Sequence, residues 1–597
     1  MMAPYSRAAS DIVDEFQQLA SARYEWERYW RDIAKFVLPH TSSFDTALSL
    51  SGPRDAMSAV IDTPAAARRS KDLYDMTSLW GIERLTAGML TLKTPESNVW
   101  HDIGVDDDYG YEPTHEEKVA LEKLRDYLFK VRANPKSGFW SAHKAAIRSM
   151  CAFGDGWMFI EEVHGGRLPF RYEYAPLADL FPANGPDGRT NRMFRCYDYS
   201  AVQVAQKWPD SLPPKIRAMA DDPQRRHQRV RVLHAITPRP DGARIGKLGV
   251  AGARFGSYYC LPEERIMLGE GGYWDFPYVR YAWNNSGLSP FSEGPVAIAL
   301  GEIKSLNEMS KNELISHQVL VRPPIAVAGK NMQRLNFNPG AVNPGLINGE
   351  GQPLFAPLNA GVRPDFASTI IEARRLGLRE MLYLNLWQIL LESPDMTATE
   401  ALIRAQEKGE LLGPVGISMN DGLSMMVDRE IGIIGRKGAF AEGSPLAMPE
   451  TMSEREVAPT FTSPLDRLRR MGELVGVQRL TEVVFQIAQF KPEVLTRLDV
   501  DEVIDTAQEI LGAPTRILVD RAKSDESRKA AAQMQNAMGG LAAAEGSGNA
   551  MRAIGEGGQA LAAGAEQAAQ SPAIQNLLAT IQRAGGSAPT RTRQPQW

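Results

Sequence analysis

"LLESPDMTATEALIRAQEKGELLGPVG", Leu390–Gly416, decides how this chain is read. Two helical patterns meet here across a Ser-Pro-Asp-Met loop. Pro394 fixes its own φ and pushes Ser393 out of the helical region, so the preceding helix stops there. Thr397 is placed to cap the next helix, and Glu400, at the third helical position, is its partner in a capping box. No obvious catalytic residues surround the loop. So sharply specified a turn between two long helices asks for an architectural purpose.

Upstream, "ARYEWERYWRDIAKFVLP" spaces Trp26, Tyr29, Trp30, Ile33, Phe36 and Val37 by threes and fours, a helix that Pro39 ends. Further helices are predicted over about 65–92, 114–132, where Thr114 and Glu117 form a capping box, and 138–153. From Gly156 to about Val279, aromatic and β-branched runs such as "GWMFIEEV" and "QRVRVLHAITP" alternate with Gly- and Pro-bearing segments, an antiparallel β-rich region. A long helix returns over Gly294–Val321, and a Pro-, Gly- and Asn-rich stretch follows it. Another helix runs to Leu391. Beyond the loop, Gly413, Pro414 and Gly416 are expected to kink or break the next helix. Amphipathic helices fill about 461–529. Residues 531–597 are Ala/Gly-rich, partly helical, and end in a dozen residues expected to be disordered. The fold class read from this order is α+β, predominantly helical.

At 597 residues the chain exceeds one core, and length suggests roughly three to five domains or layers. Its formal net charge is −5, from 67 basic and 72 acidic residues, too balanced for an overall basic, nucleic-acid-clamping surface. Three widely spaced cysteines, Cys151, Cys196 and Cys260, read as buried or free thiols in a reducing compartment. The N-terminal stretch has no apolar signal core and no run of 18 apolar residues occurs, so cytoplasmic synthesis and no membrane partner are expected.

Recognisable chemistry is absent from the sequence. There is no GxxxxGK[ST] phosphate loop, GxSxG elbow, HExxH or EF-hand pattern. "GEGGQA" at Gly555 follows no strand. His143, His234 and His317 are isolated and read as packing or surface residues, and His115 as a solvated helix start. Asp106, Asp107 and Asp108 read as a solvated acidic turn, and the aromatic clusters 24–30 and 273–283 as core. No catalytic residue, cofactor or metal ligand is assigned, which favours a structural role.

Three stretches resemble one family, the portal or head-to-tail connector proteins of short-tailed double-stranded DNA bacteriophages. They are "RYEWERYWRDIAKFVLP", "SGLSPFSEGPVAIALGEIKSLNEMSKNELISHQVLVRPPIAV" and, most specific, "ESPDMTATEALIRAQEKGELLGPV". The downstream "FTSPLDRLRRMGELVGVQRL" and "LDVDEVIDTAQEILGAPTRIL" are similar to the family's C-terminal helices. The resemblance covers most of 20–530 and leaves the tail out.

The resemblance implies a ring of about twelve subunits at one capsid vertex, through which double-stranded DNA is packaged and ejected. The implied partners are DNA, the terminase large subunit, tail adaptor proteins, and the major capsid and scaffold proteins. By motif order, 1–293 is a wing, with N-terminal helices over 1–155 and a β-rich part over 156–293. Residues 294–321 and 364–391 are stem helices enclosing a clip at 322–363. Residues 392–396 are a channel loop, 397–460 a long kinked wing helix and its connection, 461–530 a helical crown, and 531–597 a tail, partly disordered or a barrel-like helix. Ser393, Pro394, Asp395, Met396 and Thr397 then belong to the channel loop. Lys304, Lys311, Arg374, Arg375 and Arg379 are candidate DNA-facing residues, with ordinary solvated or intersubunit ion pairs as the alternative. Arg322, Pro323, Pro324, Lys330 and Arg334 fall in the clip, where motor and adaptors would dock. Another virion structural or ejected protein is the runner-up reading, and a nucleic-acid enzyme with an unrecognised site comes third.

Overall fold

The computed structural model describes residues 7–39, 70–105, 111, 113–240, 249–284, 289–321, 325–327, 347–353, 355–357, 364–384, 398–452, 455–511, 517–519 and 521–544. The chain divides into two units, Met1–Thr515 and Arg516–Trp597. Elements of both kinds are present throughout the first, so the fold is mixed α+β.

The centre of the first unit is a three-stranded antiparallel sheet. Strand β2 (Asp155–Glu162) lies between β3 (Phe170–Ala175) and β9 (Tyr278–Ala282). β2 is buried on both faces along "DGWMFI", which is why its apolar run is nearly continuous rather than alternating. One face receives helix α5 (Phe139–Phe153), which leads into β2 through Gly154 at φ 97°. A Cβ on Gly156 would sit 1.9 Å from the Ala146 carbonyl oxygen, so helix and strand touch backbone to backbone. Helix α10 (Ala398–Arg436) packs on β9, where a Cβ on Gly422 would lie 2.1 Å from the Arg280 carbonyl oxygen. Trp30, Leu85, Leu128, Ile147, Trp157 and Met426 are fully buried in this one continuous core.

Helices α2 (Tyr24–Phe36), α3 (Thr77–Lys93) and α4 (His115–Ala133) supply the rest of that core. The capping box read at Thr114 and Glu117 is formed. The helix read over about 65–92 differs: Ser70–Asp72 is a 3-10 turn and α3 begins only at Thr77. The cause is tertiary. The Asn307 amide oxygen accepts the backbone N–H groups of Tyr74 (2.8 Å) and Asp75 (3.2 Å), which a helix would have used internally. Asp106, Asp107 and Asp108 lie outside the described residues.

Strands β4 (Leu180–Asn184), β5 (Thr190–Ser200), β6 (Arg229–Pro238), β7 (Phe255–Leu261) and β8 (Ile266–Tyr273) form an antiparallel meander in that order. Its side chains alternate between two clusters with the strand period of two. Leu233 and Cys260 meet Phe16 of helix α1 (Ala9–Ala22), while Val232 and Leu261 meet Val204 of α6 (Ala201–Lys207) and Ile216 of α7 (Pro214–Asp221). All three cysteines are buried and free, and burial pushes each thiol up to about 12.

Strand β1 (His101–Val105) pairs with the distant β12 (Val457–Phe461). That pairing brings α11 (Pro464–Ala488) and α12 (Val500–Leu511) to the first unit, and the second holds α13 (Arg521–Ala544). Long helix α10 runs through Gly413 and Pro414 as one element, so of the expected kink or break the break is corrected. Pro414 removes one N–H from the ladder, and packing of the following turns on β9 is consistent with the helix surviving that loss.

Candidate functional site

Helices α8 (Pro295–Val321) and α9 (Pro364–Met381) pack against each other, and between them in sequence lie two short strands. β10 (Ile325–Val327) pairs antiparallel with β11 (Phe355–Pro357), and Ile347 bridges to Pro353 around an Asn348 turn. There the Asn348 side chain accepts the N–H groups of Glu350 (3.1 Å) and Gln352 (2.7 Å), and Gly351 takes φ 80°. Arg322, Pro323, Pro324, Lys330 and Arg334 lie outside the described residues.

Burial on α8 follows the helical period at Val296, Leu300, Ile303, Asn307 and Ser310. Asn307 is the polar exception in that stripe, and sequence reasoning passed over it. A polar residue at an apolar position of a periodic helix is the signal for a tertiary hydrogen bond. Its Nδ2 donates to the Asp72 carbonyl (3.0 Å), complementing the two bonds that its Oδ1 accepts. Asp75, also missed, sits beside it. Its carboxylate accepts from Arg375 Nε (2.9 Å) and from the Thr77 N–H (2.9 Å).

Four of the five cations expected to face DNA have carboxylate partners in their own chain. Lys304 Nζ lies 2.6 Å from Asp32 of α2. Lys311 pairs with Glu308 (3.3 Å), one turn away. Arg374 Nη1 donates to both oxygens of Glu302 at 2.9 Å, tying α9 to α8. Arg375 joins Glu372 of α9 as well as Asp75. Burial lowers the Arg375 pKa, but hydrogen bonds and charge from Glu372 and Asp75 outweigh it, so the guanidinium ends above its usual range. Arg379 Nε is enclosed and has no hydrogen-bond partner among the described residues. Ile298 and Val321 are 81% and 80% exposed, and Leu314, Leu376 and Met381 about half exposed.

The helix read through to Leu391 leaves helical geometry after Met381. Leu382 and Leu384 are both buried, against Gly81 of α3, although two residues apart point to different faces of a helix. Tyr383 between them takes φ 59°, which swings both leucines inward. Ser393, Pro394, Asp395, Met396 and Thr397 lie outside the described residues, as does the Glu400 side chain. The following helix begins at Ala398.

The titratable groups deep in the unit are structural partners of one another. Arg132 (α4) lies against Glu430 (α10) at 2.5 Å, with the Tyr172 hydroxyl donating to the same carboxylate and His101 Nε2 2.6 Å from the guanidinium. Burial pushes the His101 pKa down, and Arg132 pushes it further. His143 is likewise held down to about 3, by burial first and then Arg132, with Thr94 and Tyr281 as hydrogen-bond partners. His234 is buried beside Ser257. Among the described residues, no group of three His, Cys, Asp or Glu could hold a metal, and no helix is long and apolar enough to cross a membrane.

These features define a class: a mixed α+β protein with a charged, partly apolar pair of long helices and no catalytic constellation among the described residues. Its family follows from comparison, since the model of the bacteriophage head to tail connecting protein family matches residues 9–518, and the chain belongs to that family. It is 25% identical to the portal protein of Salmonella phage epsilon15 over 556 residues, covering 90% of this chain and 94% of the relative. It is 24% identical to the probable portal protein of Bordetella phage BPP-1 over 556 residues, covering 88% and 91%. The portal resemblance carried by the three sequence stretches is thereby established. The family is a structural one, and its portal relatives are phage components.

Proposed function

We propose that the chain assembles as a ring of about twelve copies at one capsid vertex, and that double-stranded DNA enters and leaves the head through its centre. The observation that carries this reading is the α8–α9 pair. In a protein of the connector family, it leaves Ile298, Val321 and Leu376 exposed while most of its charges are matched in ion pairs within the chain. A monomer gains nothing from exposing such side chains, whereas the same helices of a neighbouring copy cover them. In this reading 294–321 and 364–391 are the stem, 322–363 the clip, 392–396 the channel loop, 397–460 a wing helix and its connection, and 461–530 the crown. The clip seats the terminase large subunit during packaging and tail adaptors afterwards, and capsid and scaffold proteins surround the wing. Pairing Lys304, Lys311, Arg374 and Arg375 internally keeps their grip on phosphates weak, as sliding DNA requires, since each neutralised phosphate adds salt-dependent affinity.

Solution mass is the test. Twelve chains of 65.9 kDa give about 0.8 MDa. Light scattering that finds only monomers, with scaffold protein supplied, overturns the ring. Deleting Ser393–Thr397 should leave rings intact and impair packaging or retention of DNA. Normal retention in that variant overturns the loop assignment alone.

A further inference from the structure

Away from the helix pair, one short segment gathers three arginines that have no ion-pair partner among the described residues. "DDPQRRHQRVR", Asp221–Arg231, runs from the last residue of α7 through a turn into the start of β6. Arg225, Arg226 and Arg229 are exposed, and none has an ion-pair partner among the described residues. Arg231, the next arginine, is different: it pairs with Asp198 across the sheet. The nearest acids in sequence, Asp221 and Asp222, precede the arginines, and no ion pair joins them among the described residues. The Asp222 carboxylate accepts the Gln224 N–H (2.9 Å) instead of an arginine.

The turn is held rigid. Arg225 and Arg226 N–H both donate to the Asp222 carbonyl, and Gln228 N–H donates to the Arg225 carbonyl. The carbonyls of Arg226 and Gln228 accept the Val202 (3.1 Å) and Ala201 (3.0 Å) N–H groups, so the turn closes the first turn of α6. Pro223 fixes a further φ. Three guanidinium forks therefore stand on a backbone already ordered, and binding through them spends little conformational entropy.

We propose that this turn is a sequence-independent contact for the phosphate backbone of double-stranded DNA, separate from the helix pair. All three unpaired cations are arginines, whose planar forks match phosphate oxygens in pairs. A polyanion with evenly repeated charge needs no other recognition element, whereas most protein partners also use an apolar or aromatic anchor. No large apolar side chain is exposed among residues 221–231, so the segment itself carries no such anchor. With a chain charge of −5, the attraction is local to the turn. The proposal rests on the connector reading only for DNA being the polyanion at hand.

Covalently closed circular plasmid is the probe, because it cannot thread a closed ring and reports contacts outside any channel. Binding of the full-length assembled protein is measured by filter retention from 50 to 300 mM salt. The triple variant Arg225→Gln, Arg226→Gln, Arg229→Gln should lose at least about tenfold in affinity, and its log–log salt slope should fall by about 3 per protomer engaged. Arg→Lys at the same positions should restore most of the slope, which separates charge from folding defects, and thermal melting should be unchanged in both. Lys304→Ala with Lys311→Ala should leave circle binding intact. Equal binding by wild type and the Gln variant, or no binding by wild type, overturns the proposal. So does a Gln variant that keeps plasmid binding but loses polyglutamate binding, which would assign the turn to an acidic protein. A failed ring test leaves this measurement interpretable, since the turn belongs to the protomer.

Discussion

The core built on β2 and the helix pair α8–α9 handle charge in opposite ways. In the core, Arg132 and Glu430 are 1% and 0% exposed, and Lys93 is fully buried against Asp466. Each cation is enclosed by aromatic rings: Arg132 by Trp100, Phe129 and Phe139, and Lys93 by Phe461. On the helix pair, Lys304 and Arg374 are both more than 40% exposed and pair in reach of water. The buried pairs join segments hundreds of residues apart and hold one arrangement of the protomer. The exposed pairs cost little to break, and the surface around them still has apolar area to cover.

The difference can be broken at its strongest point. Glu430→Ala leaves the Arg132 guanidinium and the Tyr172 hydroxyl without their buried partner. The expected loss is about 3–5 kcal/mol in chemical denaturation. A loss below about 1 kcal/mol would mean that the site hydrates, and the contrast with the helix pair would vanish.

Acid comes next. His101, His143 and His234 are kept neutral by burial, His143 down to about 3, while each titrates near 6.5 when unfolded. Between those values the unfolded chain binds more protons, so stability falls as pH drops below about 6.5. His143 alone contributes about 2 kcal/mol between pH 7.5 and 5. Asp179, pushed up to about 6 by burial, and Asp155, raised by the same cause, act in the opposite direction, two groups against three. Denaturation midpoints at pH 7.5 and 5.0 check the sign, and an unchanged midpoint sinks the assignment of neutral buried histidines.

A smaller effect is expected at Gly422. Alanine there drives a methyl into the Arg280 carbonyl oxygen, at about 1–3 kcal/mol. A neutral result by thermal melting would show that α10 lifts freely from β9. On the helix pair, Lys304→Ala should cost at most about 1 kcal/mol. Ile298→Asp should stay within about 0.5 kcal/mol in the protomer yet abolish assembly by light scattering. If Ile298→Asp instead unfolds the protomer, the helix pair belongs to the core and the comparison fails.

Much of this was legible from residue order. Period 3.6 marked α2, α4, α5 and α8, period two marked the β-rich middle, and the stretches around Trp26, Pro323 and Pro394 carried the family. The five candidate DNA-facing cations could be named, but not their partners: Asp32, Asp75 and Glu302 lie on other elements or approach only through helix packing. Asn307 and Asp75 were missed because their importance is a contact between residues 233 and 300 positions apart. The partial unpairing of the arginine turn was invisible for the same reason. Arg231 and Arg229 look alike in "RVR", and only the sheet register gives one an Asp198 and leaves the other without.

The sequence by itself determined the kinds of element, their order, the cap at Thr114 and the family, because those depend on local propensity and on motifs within a few tens of residues. Tertiary structure alone decided where elements end and what each charge meets. Asn307 unwound the start of α3, two buried leucines ended α9 at Met381, and α10 continued past Pro414. In the first two cases, contacts distant in sequence outweigh a local preference of about 1 kcal/mol or less per residue.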